Sequence, residues 1–396
     1  MTSVQRPEAG SQYRSAEAGR EVAERPPLEN NANNSSPPPR DGSRRDRRYG
    51  LRSVLWTYSD LARLHKCGRT RVTGHVGVRY SGGGAGFAGL ASCGSVWACP
   101  VCSAKILARR SLEIGVGLLT WENAGGRLVM GTLTMRHHKG HGLGQEWNAL
   151  GKAWATVMRS RVWTKWLDRL GSPGLVRVVE VTYGANGWHV HLHFVLLVSG
   201  TSSPELVAEF SAWVTAKWAR ALVLAGMPGA LVRGQDVHLV RGDAAAIEVG
   251  QYLVKSSAYG SAESLGRELM GTWSKTARSP HGTDPAWSLA EEFGRSGEAD
   301  LLDLWHEYER GSKGKQQCTW SKGLRDLVAV GAEISDEDVA AEVLGDVDLV
   351  RITAEGWTTA LRSHEPTSRI LAAVEQGGVA GLTAYLDLHG IGYERV

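Results

Sequence analysis

Nowhere does the chain run to about 18 consecutive apolar residues, and its first residues lack the apolar core of an export signal. A membrane span and a secretory leader are therefore not expected, and a cytoplasmic location is. Cysteine is scarce as well: there are 5 in 396 residues, and three of them fall between Cys93 and Cys102. An odd, crowded set in a chain without an export signal argues against a disulfide framework and for metal ligation. Neither sign of charge dominates. The net charge of +4 and pI near 8.8 permit nucleic-acid binding through local patches without requiring it. What the chain does have is 42% hydrophobic residues, enough at this length for two or three domains, and 15 tryptophans. Most of these belong to core or rim packing, with a few available to stack on bases.

Residues 1 to about 48 mix Asn, Ser, Pro, Arg and Glu without apolar periodicity and include the run Asn33-Asn34-Ser35-Ser36-Pro37-Pro38-Pro39. The expectation is a disordered tail over 1–48, with Arg40, Arg44, Arg45, Arg47 and Arg48 as a solvated linker and order beginning near Leu51. A cysteine-rich, zinc-binding region is expected over 51–115, a catalytic domain over 125–280, and a mostly helical C-terminal region, a candidate for DNA binding, over 281–396. Periodicity is readable from Gly126 onward. It gives a strand over Arg127 to Arg136, a helix over Gln145 to Leu170 and a strand over Leu175 to Tyr183. The Asn-Gly turn Gly184-Ala185-Asn186-Gly187 follows, then a strand over Trp188 to Val198, a helix over Ser203 to Ala225, a strand over Asp236 to Arg241 and a helix over Ala244 to Ser257. The fold class expected from β-α-β-β-α-β is α+β, a ferredoxin-like or RRM-like antiparallel sheet. Its first and third strands lie at the centre, helices cover one face, and the other face is free for a ligand. Alternation places Val190, Leu192, Phe194 and Leu196 on the buried side, with His189, His191 and His193 on the other. Thr132, Thr134, Val178, Glu180 and Thr182 share the histidine side.

Three patterns carry chemistry. In His189-Val-His-Leu-His193, imidazoles at i and i+2 stand about 6.6 to 7 Å apart along a strand, close enough for two to converge on one ion but not for the outer pair. His191 and His193 are the preferred ligands, with His189 in support or contacting DNA. The hairpin puts Glu180 opposite His191 or His193 as third ligand. The competitor His238 sits two strands away, about 9.6 Å against about 4.8 Å. Second, Glu248-x3-Tyr252-x2-Lys255 places a carboxylate, a phenol and an ammonium on one helical face, where all three can meet one phosphate. A phenol with an ordinary pKa near 10 needs such company to act as a nucleophile at neutral pH. Third, Cys93-x5-Cys99-Pro-Val-Cys102, with Cys67 upstream, has the spacing of a closed structural zinc site, His65 being the alternative fourth ligand. Cys318 reads as a packing residue. In the C-terminal third, Leu301 to Arg310, Ser335 to Leu344 and Ala360 to Tyr385 read as helices, and Lys313, Lys315, Lys322 and Arg325 surround Trp320. That cluster suits phosphate contact with stacking or, equally, a solvated face over a packed ring.

Together these residues resemble the rolling-circle plasmid replication initiators of Gram-positive bacteria, a branch of the HUH endonucleases, and most closely those of small actinobacterial plasmids. The resemblance covers roughly residues 60 to 330: Cys-Pro-x-Cys followed by Ser-Ala-Lys, Gly131-Thr-Leu-Thr134, Gly187-Trp-His-Val-His-Leu-His193 and the Glu248, Tyr252, Lys255 set. Family members often carry proline where this chain has Val190. The resemblance implies a nick at the plasmid's double-strand origin, with Tyr252 joining the 5′ phosphate and a 3′ hydroxyl left to prime synthesis. It implies Mg2+ or Mn2+ on His191, His193 and Glu180, Lys255 steadying charge, and Glu248 activating water to end the cycle. A structural zinc, plasmid origin DNA and a host helicase and polymerase complete the expected cofactors and partners. Rival readings are a transposase with two tyrosines, which lacks a well-placed second tyrosine here, and a relaxase, whose tyrosine precedes its histidines. A non-enzymatic zinc-containing DNA-binding regulator leaves the histidine strand without purpose.

Overall fold

The chain is described from a computed structural model covering residues 42–82, 84–240, 283–343, 345–363 and 365–396. Its first element, α1 (Gly42–Tyr58), begins ahead of the expected start near Leu51 and takes in four of the five arginines read as a solvated linker, Arg40 lying outside the described residues. Arg45 and Arg48 are in fact buried. Two hydrogen bonds from Arg45, at 2.7 and 2.5 Å, hold both oxygens of Glu375 on the helix Ser368–Leu388, so the charge run is an internal brace. The hairpin β1 (Val76–Ser81) and β2 (Gly84–Ala88) follows, then α2 (Pro100–Asn123).

The alternating region forms the second sheet: β3 (Arg127–Leu133), α3 (Leu143–Met158), α4 (Arg161–Leu170), β4 (Gly174–Gly184), β5 (Gly187–Val198), α5 (Pro204–Leu224) and β6 (Asp236–Leu239). The single helix expected over Gln145 to Leu170 is two. Ser160 leaves helical geometry and its hydroxyl accepts from the Trp163 N–H, capping α4, and Gly171 closes that helix in the left-handed region. Two short strands, β7 (Thr283–Pro285) and β8 (Cys318–Trp320), add to β4. The order is β6-β3-β5-β4-β7, with every pair antiparallel, so the first and third of the alternating strands, β3 and β5, are neighbours. The helix expected over Ala244 to Ser257 lies outside the described residues.

Register decides which side chains share a face. On one side, Phe194 packs against Trp154 of α3 and leaves no room for a side chain at Gly131. The histidine side is not free along its length, contrary to expectation. Leu128, Met130, Val176, Val178, Val195 and Leu197 lie on it and are buried. Trp320, opposite Val176, meets α2 at Gly117, where a Cβ would come within 2.9 Å of the indole. Helix α2 therefore closes the lower half, beyond the histidines.

Beyond β7 come α6 (Trp287–Ser296) and α7 (Ala299–Ser312), whose Trp287, Trp305 and Tyr308 pack into one aromatic cluster. The helix expected over Ala360 to Tyr385 is also broken, into Ala354–Arg362 and Ser368–Leu388 with Pro366 between them, and the latter is interrupted again at Gly378, which leaves helical geometry at φ +60°. Two late strands, β9 (Val350–Ile352) and β10 (Tyr393–Arg395), complete a four-stranded sheet of order β10-β9-β1-β2, which joins the cysteine-rich region to the end of the chain. Among the described residues no helix is long and apolar enough to cross a membrane.

Candidate functional site

The hairpin between β4 and β5 builds the first site. Gly184 pairs with Gly187, leaving Ala185 and Asn186 as a two-residue turn. Gly187 takes φ +88°, and a Cβ there would sit 3.0 Å from the Lys139 Cα of the loop after β3, so glycine is required twice over. This register sets Glu180 directly opposite His191. Glu180 Oε2 lies 3.0 Å from His191 Nε2 and 3.6 Å from His193 Nε2. Both imidazoles are buried. Donors at right angles on an ion with bonds of about 2.1 Å stand about 3.0 Å apart, so two imidazoles and one carboxylate suit a divalent ion with positions left open. The Thr132 hydroxyl lies 2.9 Å from His193 Nδ1 and holds that ring in place, an outer contact typical of metal-bound histidines.

His189 turns away from this group: its Nδ1 lies 2.9 Å from His137 Nε2, while His137 Nδ1 reaches the Asn186 carbonyl at 3.2 Å. Burial lowers the pKa of His137. His137 was not singled out in the sequence, although Arg136-His137-His138-Lys139-Gly140-His141 is conspicuously rich in imidazole. His238 pairs with Asp236 at 3.0 Å on the exposed side of the edge strand β6, with β3 intervening, and stays outside the group. Glu248, Tyr252 and Lys255 lie outside the described residues.

Behind the histidines, β3 ends at Leu133 opposite Leu192, so the Val190 N–H has no strand partner on that side. Glu146 of α3 accepts it at 3.2 Å. This carboxyl is fully buried, and desolvation pushes its pKa up to about 8. A folded pKa above the unfolded one means that stability is lost as pH rises from about 4.5 through about 8, because the unfolded chain releases the proton first. Glu146→Gln keeps the shape and removes the titration. Its stability relative to wild type should therefore grow by on the order of 3 to 5 kcal/mol between pH 5 and pH 8. Denaturant midpoints read this directly, and parallel pH profiles for the two proteins would refute the assignment.

The second site is made of Cys67, Cys93, Cys99 and Cys102, all buried, with every pair of sulfurs within 4.8 Å. Cys67 Sγ lies 3.5 Å from Cys102 Sγ and 3.7 Å from Cys99 Sγ, and Cys93 Sγ 3.7 Å from Cys102 Sγ. Zinc–sulfur bonds of about 2.3 Å place the corners of a tetrahedron about 3.8 Å apart, so the four thiols fit zinc. Cys99 caps α2, its sulfur accepting from the Cys102 N–H, and Pro100 opens the helix. Hydrogen bonds from Cys67, Cys93 and Cys99 hold the Cys102 thiol well below its usual pKa, while the hydrogen bond to Cys102 pushes the Cys93 thiol up and burial does the same for Cys99. His65, the alternative fourth ligand, instead bonds the Ser59 carbonyl at 2.8 Å. Cys318 stands apart, and burial pushes its thiol up to about 12. Of the basic residues around Trp320, Arg325 is buried against Glu113 at 3.1 Å and lies over the indole, a structural role.

Residues 90–320 match the family described as Replication protein, more than half of the chain. The chain belongs to the replication protein family. The match spans Glu180, the histidine strand and three of the four clustered cysteines. The chain is similar to "Protein rep" of Streptomyces lividans, at 28% identity over 341 residues, 69% of this chain and 73% of that protein. It is also similar to a "Neomycin resistance protein" of Streptomyces cyanogenus, at 33% identity over 152 residues, 32% of this chain and 35% of that protein. No solved structure matches. The resemblance to actinobacterial plasmid replication initiators is thus borne out at the level of the family.

Proposed function

We propose that this replication initiator starts rolling-circle synthesis by nicking one strand of its plasmid origin through Tyr252. The observation that carries the reading is the convergence of His191 Nε2 and His193 Nε2 on Glu180 Oε2. A divalent ion held there, Mg2+ or Mn2+, supplies Lewis-acid polarisation of the scissile phosphate. The Tyr252 oxygen attacks phosphorus, a phosphotyrosine bond forms, the bond to O3′ breaks, and the proton given up by the phenol is balanced by the one taken by the 3′ hydroxyl. Lys255, three residues along from Tyr252, steadies the phenolate and the phosphate. Glu248, four residues before Tyr252, activates the water that later hydrolyses the link and frees the phenol. His189, fixed by His137, borders the ion site and contacts DNA. The strand order and connectivity support a ferredoxin-like catalytic unit of the HUH type over 125–280. The four thiols support a structural zinc in the cysteine-rich region.

The test is nicking of supercoiled plasmid carrying the origin, with covalent adduct read on a denaturing gel. Mild EDTA should stop cleavage without changing the circular dichroism, since a two-histidine, one-carboxylate site exchanges its ion while four thiolates hold theirs. Mn2+ or Mg2+ should restore cleavage in the wild type but not in His191→Ala or His193→Ala. Equal cleavage with and without divalent ions defeats the metal assignment.

A further inference from the structure

A cavity of about 590 Å³ opens at the edge of the second sheet, walled by Trp97, Arg310, Lys313, Lys315, Gln317 and Glu337 among others. It lies within the size range of small-ligand pockets. Gln317 is 9% exposed, and its side-chain oxygen is buried with no hydrogen-bond partner among the described residues. An unpaired buried acceptor keeps an uncompensated desolvation cost, which a ligand recovers by donating to it once the side chain turns toward the cavity. The backbone around this amide is firmly held. The Gln317 carbonyl accepts from the Val179 N–H at 2.8 Å, so the amide is anchored beside the residue that precedes Glu180. The Lys315 carbonyl accepts from Trp97 Nε1 at 2.7 Å, and Gly314 turns the loop at φ +71°.

Much of the acidity of the wall is already matched. Asp60 pairs with Arg310 at 2.8 Å, Glu337 with Arg63 at 2.9 Å and Asp336 with Arg110 at 2.8 Å. Lys313 stands exposed in the wall, and the ammonium of the half-buried Lys315 lies over the Trp147 ring. The wall thus carries a buried amide and two lysines. A nucleobase presents a donor next to an acceptor on its edge, which an amide matches, and its phosphate suits the lysines. Only an unpaired base enters such a cavity, and the strand held at Glu180 is single in the reading above.

We infer that this cavity receives one unstacked nucleobase of the bound single strand, with Gln317 pairing to its edge and Lys313 and Lys315 meeting its phosphate. The inference rests on the proposed function for the identity of the strand. It adds a base-reading position to a sheet whose metal site touches only phosphate.

The test is a double-mutant cycle on binding, read by fluorescence anisotropy with single strands tiled across the origin, each also made with one abasic position at a time. With wild-type protein, one abasic position should weaken binding about tenfold, within the range of a good base contact. Gln317→Leu should weaken binding of the intact strand by a similar factor, and the two changes together should cost no more than either alone. Gln317→Leu should melt at or above the wild-type temperature, because it removes an unpaired buried acceptor. Should it fold poorly, Gln317→Asn withdraws the same amide and is read in the same cycle. Additive penalties, or wild-type binding by the variant, overturn the pocket, and a peptide or other occupant leaves that signature. Nicking is scored separately. A wild-type protein that binds with coupling but forms no adduct defeats the proposed function and leaves the pocket standing, whereas nicking without coupling does the reverse.

Discussion

Tyr252→Phe is expected to abolish nicking of supercoiled origin DNA and the covalent 5′ adduct, while origin binding stays within a few fold of wild type. The substitution removes one oxygen, the proposed attacking atom, and leaves the aromatic ring in place. No other protein group supplies the lost bond, so the expected effect is complete, in contrast to the partial loss on removing a group that only stabilises charge. The adduct is scored after denaturation by its retention on DNA, and binding by gel shift. An adduct that persists in the variant places the nucleophile elsewhere, Tyr259 being the nearest tyrosine in the sequence. Absence of adduct in both proteins would favour a regulator that binds without cutting.

The second large effect belongs to the cysteines. Cys99→Ser should cost the fold several kcal/mol and lower the melting temperature by on the order of 10 °C or more, because structural zinc contributes about 10 to 16 kcal/mol in small domains and net stability is about 5 to 15 kcal/mol. The same change also touches the cap of α2, and α2 closes the lower half of the histidine face. Metal content of the purified wild type should be near one zinc per chain, falling in the variant. A variant with an unchanged melting curve, or a wild type free of zinc, would show that the four thiols are packing residues.

The sheet that positions the histidines was legible because strand periodicity is local: His189, His191 and His193 alternate with Val190 and Leu192, and a two-residue turn leaves little freedom in pairing Glu180. The four cysteines were legible by spacing. Closure of the lower histidine face was written less plainly, in Phe194-Val195-Leu196-Leu197-Val198, a run apolar on both sides that marks a strand covered twice. The breaks at Ser160 and Pro366 were visible as residues yet outweighed by the apolar period on either side. His137 and Gln317 were not legible as partners of β5 and β4, since each is brought there by contacts far apart in sequence. Arg45 misled for the same reason: its partner Glu375 lies 330 positions away.

That distance also bears on synthesis. The hairpin of β1 and β2 leaves the ribosome early, but the strands that complete its sheet, β9 and β10, are made only after all the strands of the second sheet. Until then β1 offers an unpaired edge, and pairing it late is a slow, long-range step exposed to wrong partners. Every candidate catalytic residue therefore precedes Val350, the start of the strand that pairs with β1 and completes the first sheet.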